Sequence, residues 1–364
     1  MTIYIKKREV PDEPERKKPD LREVIGSGRR KAVVSRMSDV DEQHVEWLWK
    51  DRIPFGNLTV IAGDPGLGKS TMVLDLAARV TQGRPMPEGL TIARKVCVLI
   101  MTAEDGVANT VKPRLEAARA DEDRVHVLLG VREGGTDEDM LSIPDDLGVV
   151  RDVIQKYGVR LLIIDPLDAF LDDGINSHNN KAMRRAMTPL KMLAEETNVA
   201  IVVIAHLNKN VQQSALNRLN GSIGTGAAAR SVLLVAPDPD DEDGRVLASV
   251  KSNLAAPAQA LAFHIDQRAG QKGTHVVWDG ISHLSKDDLL AAKPAKARQL
   301  AINFLKIVLA DEPVPASEVE VEAKKLGIKE RTLRRAADDL GVVKEHVGSP
   351  GGHWQWSLPE TDGH

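Results

Sequence analysis

Between about residue 45 and residue 281, apolar residues come in short bursts separated by longer stretches of helical spacing. Leu58 to Ala62, Val96 to Met101, Arg160 to Ile164, Val199 to Ala205 and Ser231 to Val235 are rich in Val, Ile and Leu and bounded by polar or turn residues. Runs of this kind predict strands buried on both faces. Helices are predicted between them, near 69–82, 109–119, 146–157 and 180–197. The alternation implies an α/β fold around a mostly parallel sheet. Arg245 to Val250, Leu261 to Ile265 and Thr274 to Trp278 read as antiparallel edge strands.

On either side the pattern changes. Residues 1–40 mix Arg8, Arg16, Lys17, Lys18, Arg22, Arg29, Arg30 and Lys31 with acids and prolines, and apolar periodicity is poor. They read as a disordered, charged arm, with a nucleic-acid-contacting arm as the alternative. The core domain is expected over 41–281, and polar, alanine-rich 282–297 reads as a linker. Residues 298–359 then form a second unit, followed by a tail at 360–364. Within that unit, Arg298 to Leu309 has helical spacing, Ser317 is expected to cap a helix over Glu318 to Lys325, and Lys329 to Leu340 is a third helix. Val342 to Val347 and Trp354 to Leu358 flank a glycine-rich hairpin tip at 348–352. Three helices followed by a hairpin resemble a winged helix-turn-helix domain. Trp354 and Trp356 share a strand face, so packing on the core is expected of both.

Composition narrows the classes. With 42% hydrophobic and 28% charged residues, the 364-residue chain can bury a sizeable core. Lys plus Arg number 49 against 53 Asp plus Glu, for a net charge of -4. A wholly basic nucleic-acid coat protein is excluded; a binder with local basic groups is not. The single cysteine, Cys97, rules out an internal disulfide framework and a four-cysteine zinc site. It fits a reducing compartment, the cytoplasm. No apolar run approaches the ~20 residues that span a bilayer, so no membrane role is expected. Aromatics, at 3%, are too few for an extended base-stacking platform.

The chemistry is carried by Gly63-Asp64-Pro65-Gly66-Leu67-Gly68-Lys69-Ser70, followed by Thr71. This matches the phosphate-binding pattern G-x-x-x-x-G-K-[ST], with an apolar strand before it and a helix after it. Glycines let backbone N–H groups wrap phosphates, and the helix N-terminus adds partial positive charge. Lys69 would neutralise β- and γ-phosphate oxygens, and the Ser70 hydroxyl would hold Mg²⁺. Asp165 ends the strand Leu161 to Ile164 and would reach the same metal from a strand expected beside the phosphate-loop strand. By itself it would read as a strand-end turn cap. Residue 166 is proline, so no Asp-Glu pair activates water there. Glu104, just beyond the strand Val96 to Met101, can take that role, leaving Asp105 as a helix-start acid. ATP and Mg²⁺ are the expected ligands.

The placement of Lys69, Glu104 and Asp165 resembles the RecA-like ATPases. More narrowly it resembles the RepA-type hexameric replicative helicases and related phage and plasmid ATPases. The matching motifs are Gly63 to Thr71, Ala103-Glu104-Asp105-Gly106, Ile164-Asp165-Pro166-Leu167, His206-Leu207-Asn208-Lys209, and Gly221-Ser222 followed by Ala229-Arg230-Ser231. They cover about residues 45–265. The resemblance implies that His206 senses the γ-phosphate. It also implies that Arg230 or Lys251 enters a neighbouring subunit's site as a cationic finger, with an ordinary surface salt bridge as the alternative for Arg230.

Nucleic-acid contacts are expected in two places. The loops at 172–181 and 208–220 follow the sensing strands, and the second offers Lys209 and Arg218 among many amides. In the family such loops line a central channel. Arg331, Arg334 and Arg335 share one face of the third C-terminal helix, which a helix-turn-helix offers to the major groove. Asp338 and Asp339 could instead neutralise them. The resulting expectation is a ring-forming helicase or translocase, a homohexamer on single-stranded DNA, serving phage, plasmid or mobile-element replication, with replication partners met through the C-terminal unit. The alternatives are a DNA-dependent ATPase in recombination or helicase loading, and an ATP-switched DNA-binding regulator.

Overall fold

The computed structural model describes residues 23–25, 32–42, 44–89, 95–132, 139–172, 180–207, 228–239, 241–291, 296–310, 312–328, 330–347 and 353–359. The chain divides into two compact units, Met1–His44 and Val45–His364.

In the first unit, β1 (Glu23–Ile25) pairs antiparallel with β2 (Ala32–Val34), and one 3-10 turn follows at Met37–Asp39. This part of the expected disordered arm is therefore a two-stranded ribbon; the rest of the arm up to residue 31 lies outside the described residues. Residues 33–42 are all exposed. Val33 and Val34 of the ribbon are exposed, which is why no apolar pattern announced it.

The second unit opens with the short hairpin β3 (Trp47–Trp49) and β4 (Ile53–Pro54). Then come β5 (Leu58–Gly63), α1 (Lys69–Gln82), β6 (Cys97–Thr102), α2 (Lys112–Ala117), β7 (Val125–Leu128), α3 (Leu147–Tyr157) and β8 (Val159–Asp165). They are followed by α4 (Asn180–Thr197), β9 (Ala200–His206), β10 (Ser231–Asp238), β11 (Asp241–Ser252), β12 (Leu261–Asp266) and β13 (His275–Ile281). One nine-stranded sheet runs β13-β12-β11-β10-β5-β9-β8-β6-β7. It is parallel from β10 to β7 and antiparallel from β10 to β13.

Alternation along the central strands feeds two cores, one on each face. Leu162 and Ile164 join one cluster with Leu58, Val60 and helix residues of α3 and α4. Leu161 and Ile163 join the other with Ile61 and α1. Each fully buried Leu or Ile contributes roughly 2 kcal/mol, which explains the unbroken apolar runs. β7 carries no clean apolar pattern because all four of its residues are only half-buried, as befits an edge.

One topological expectation is corrected. The strand ending in Asp165 does not lie beside the phosphate-loop strand, because β9 sits between β5 and β8 and pairs with both. The wholly apolar run of β9 suits that doubly flanked central place, and chain order does not fix strand order.

In the expected linker, α5 (Lys286–Ala291) is helical and buries Leu289 in the main core. Beyond it stand α6 (Lys296–Val308), β14 (Val314–Pro315), α7 (Ala316–Lys325), α8 (Glu330–Asp339), β15 (Val343–Val347) and β16 (His353–Ser357). β14, β16 and β15 form a three-stranded antiparallel sheet over a separate core of Phe304, Leu305, Val319, Leu333, Ala336 and Trp356. Ser317 does not cap α7, which starts a residue earlier after Pro315 and has no side-chain cap. Trp356 is 4% exposed but Trp354 is 55% exposed. Both occupy one face, yet β14 pairs only with Gln355 and Trp356, so Trp354 lies past the packed part of the strand. Among the described residues no helix is long and apolar enough to cross a membrane.

Candidate active site

The phosphate loop is shaped by its neighbours. Gly63 ends β5 and lies so close to β10 that a Cβ there would be 2.5 Å from the Val235 carbonyl oxygen. Gly68 takes φ +76°, a left-handed backbone, and caps the N-terminus of α1. Ile265 of β12 closes over it, with its Cδ1 only 1.9 Å from where a Gly68 Cβ would stand. A side chain at position 68 would thus meet both strain and a clash.

Lys69 begins α1 and is only 4% exposed. Its Nζ donates to the carbonyl oxygens of Gly63 at 2.9 Å and Asp64 at 2.8 Å. It also lies 3.5 Å from His206 Nδ1. Burial pulls the ammonium pKa down, and the nearby charges of Asp165, Asp64 and Glu104 offset part of that. The same forces act on His206: burial first, then Lys69, lower its pKa. His206 is therefore neutral at pH 7, and a tautomer with Nδ1 unprotonated can accept from Lys69.

Asp165 accepts a hydrogen bond from the Ser70 side chain. Burial pushes its carboxyl up to about 6, and the charges of Asp105 and Glu104 add to this, while Ser70 and Lys69 act against it. A hydroxyl and a desolvated carboxylate at the head of a phosphate loop suit a hard cation. Mg²⁺ characteristically uses one or two such ligands plus phosphate oxygens. Among the described residues there is no cluster of three or more His, Cys, Asp or Glu.

Register explains how residues far apart in sequence meet here. Gly63 pairs with His206, and Thr102 with Asp165, so the carboxyl ends of four parallel strands finish together. Glu104 follows β6, is exposed, and is near enough to raise the pKa values of Lys69, Asp165 and His206 electrostatically. Asp105 is held by Arg114 of α2, Nη1 to Oδ2 at 2.6 Å. Sequence reasoning singled out neither Arg114 nor Ile265, because both act across the fold rather than within a motif.

The remaining predicted residues lie elsewhere. Arg230 is exposed and precedes β10, where Ser231 pairs with Thr59 at the start of β5. Lys251 pairs with Val232 and its Nζ donates to the Ala229 carbonyl at 2.9 Å. Through Val232, Lys251 stands level with Val60, and the Arg230 N–H bonds the Leu58 carbonyl, so both lie toward the amino-terminal end of the parallel strands, about 10 Å and about 17 Å of strand from this chain's own phosphate loop at ~3.3 Å per residue. Lys209 and Arg218 lie outside the described residues, as do 173–179 of the other expected DNA-facing loop. Arg331 and Arg335 are on α8, but their side chains are likewise outside the described set. Arg334 pairs with Glu330 at 2.5 Å and Glu320 at 3.8 Å, while Asp338, the expected neutraliser, engages Lys344 at 2.8 Å.

A parallel sheet bearing this cradle, with an acid two strands away and a glutamate just past the end of the strand beyond, has the arrangement of a RecA-like P-loop core. A family model described as an AAA domain matches residues 27–212, just over half of the chain, and the chain belongs to that family. Among curated proteins it is similar to the DNA repair protein RadA of Halalkalibacterium halodurans, at 29% identity over 156 residues. It is also similar to RadA of Streptococcus pneumoniae, at 24% over 157 residues. Each match covers 42% of this chain but only 28% and 31% of those relatives, so the chain spans less than a third of their length. Two solved structures also align. One is an ATPase domain, at 16% identity and TM-score 0.43, over 59% of this chain and 82% of that one. The other is a DnaB-like replicative helicase, at 14% and 0.46, over 65% of each.

Proposed function

We propose that the protein is an ATP-driven DNA helicase or translocase that assembles into a ring, a homohexamer, around single-stranded DNA in the cytoplasm. Phage, plasmid or mobile-element replication is the setting. The observation that carries this reading is the convergence of Lys69, Ser70, Asp165, Glu104 and His206 at the carboxyl end of the sheet, with Arg230 and Lys251 toward the opposite edge. Such a chain holds one part of a site at each end, which suits head-to-tail association.

In this reading the loop 63–71 wraps the triphosphate and Lys69 exchanges its two carbonyl partners for phosphate oxygens. Ser70 and Asp165 would hold Mg²⁺, which would supply positive charge against the phosphates. Glu104 orients the attacking water and takes its proton. His206 reports the γ-phosphate through Lys69, and the loop after His206, with Lys209 and Arg218, carries the report to the DNA strand. Arg230 or Lys251 from the next subunit stabilises charge on the transferring phosphoryl group. Residues 298–359 act as a winged helix toward DNA or replication partners, with Arg331, Arg334 and Arg335 on its third helix.

The test is ATP turnover with and without long single-stranded DNA, alongside Lys69→Ala and Glu104→Gln. Stimulation by the strand that both variants abolish supports the motor, and a forked-duplex unwinding assay follows. Turnover indifferent to DNA overturns it. The similarity to proteins named for DNA repair favours one other reading, a DNA-dependent ATPase in recombination that does not unwind. Strand-stimulated turnover without displacement of a forked duplex would select it.

A further inference from the structure

Among the described residues Glu104 has no hydrogen-bond or ion-pair partner, yet in the reading above its position decides whether water is activated. Its backbone is fixed from the next two positions. Asp105 is bound by Arg114 at 2.6 Å, and both side chains are about three-quarters buried, at 27% and 24% exposed. Gly106 lies against the Asn109 side chain, whose Oδ1 is 2.2 Å from where a Cβ would be. Gly106 leads into one π-helical turn, Val107–Val111, that continues directly into α2. Such wide turns recur at functional sites.

Arg114 is itself braced. The preceding residue, Pro113, presents its carbonyl oxygen to Gly273 in the turn between β12 and β13, 2.0 Å from where a Cβ would stand. That hairpin also places Ile265 over Gly68 of the phosphate loop. The helix turn bearing Arg114 and the loop bearing the phosphates are therefore referenced to one hairpin.

We propose that Arg114 is a positioning residue for Glu104: its ion pair with Asp105 holds the 103–106 loop so that the Glu104 carboxylate faces the phosphate site. This rests on the ATPase reading above. A half-buried, short Arg–carboxylate pair has the geometry to set a loop, which an exposed pair lacks.

The experiment compares Arg114→Ala, Arg114→Lys and Asp105→Asn in the full chain for kcat, KM and affinity for Mg²⁺-ADP. Displacing a catalytic group by about an ångström costs on the order of 100-fold. Expected is a fall in kcat of about 10- to 100-fold in Arg114→Ala and Asp105→Asn, with ADP affinity changed less than about threefold and partial recovery in Arg114→Lys. The decisive readout is the background: in Glu104→Gln, adding Arg114→Ala should lower single-turnover hydrolysis no further. If Arg114→Ala unfolds, Arg114→Gln replaces it at similar size. Turnover retained by Arg114→Ala but lost by Glu104→Gln overturns the role alone. So does a loss that multiplies in the Glu104→Gln background. Wild-type protein that binds ADP and does not turn over ATP overturns the ATPase reading and this role together.

Discussion

Nζ of Lys69 lies 3.5 Å from Nδ1 of His206, although 137 positions separate them in the chain. The parallel pairing of β5 with β9 puts Gly63 opposite His206, and Lys69 folds back to the carbonyl of Gly63. The pair links Lys69 of the 63–71 motif to the end of the strand that leads toward residues 208–220.

The pair has a titration consequence. Burial and the Lys69 charge both lower the His206 pKa from its ordinary value, so the neutral ring persists to lower pH. Ring-proton NMR should show His206 titrating below the ordinary histidine range. In Lys69→Ala the midpoint should rise, because one of the two lowering causes is gone; an unchanged midpoint would refute the coupling.

Gly68 gives a sharper structural prediction. Gly68→Ala imposes a left-handed φ on an L-residue, at a cost of roughly 1–2 kcal/mol, and drives its methyl into Ile265. Nucleotide binding measured by calorimetry should be lost or weakened at least 100-fold. Gly68→Ala with Ile265→Ala should relieve the clash and recover only part of the binding, since the backbone strain remains.

Asp165 links pH, stability and metal. Its folded-state carboxyl sits at about 6, above the 3.8 of an unperturbed aspartate. Between those values the folded chain holds a proton that the unfolded chain has released. Stability from this group is therefore present below the window and falls as pH rises through it. A rise of about two pH units corresponds to roughly 2–3 kcal/mol. Asp165→Asn should raise the Tm of nucleotide-free protein at pH 7.5 and have little effect near pH 4. The same variant should lose the extra stabilisation that Mg²⁺ gives in the presence of nucleotide. A lower Tm at pH 7.5 would sink the claim.

Much of this was legible in the sequence for a physical reason. Strand segments buried on both faces, such as 161–164 of β8 and 200–205 of β9, are continuously apolar, and the phosphate loop is a local sequence motif. What failed was non-local or marginal. β7 is half-buried and carries no clean pattern. The insertion of β9 between β5 and β8 is a matter of strand order, on which the local pattern is silent. Arg114 and Ile265 look like ordinary helix and strand residues until the fold sets them against Asp105 and Gly68. Trp354 alternates correctly yet stays exposed, because alternation fixes a face and not how far the core extends beneath it.

The cationic finger can be tested without knowing the ring's size. Arg230 immediately precedes β10 and Lys251 lies on its partner β11, both toward the edge remote from the phosphate loop. If Arg230 acts on a neighbour's nucleotide, Lys69→Ala and Arg230→Ala damage opposite sides of one interface. Each variant alone should turn over ATP poorly, at about 10²- to 10³-fold below wild type or lower, in the range expected for loss of a transition-state cation. Mixed in equal amounts, some interfaces pair an intact phosphate loop with an intact finger, so turnover should rise above both parents. The gain should grow with protein concentration as assembly proceeds. Lys251→Ala in place of Arg230→Ala identifies which cation is used, since only the true finger variant is complemented. No gain with either variant, in preparations shown by light scattering to be assembled, would mean that neither cation works in trans, and hydrolysis would then have to be completed within one chain.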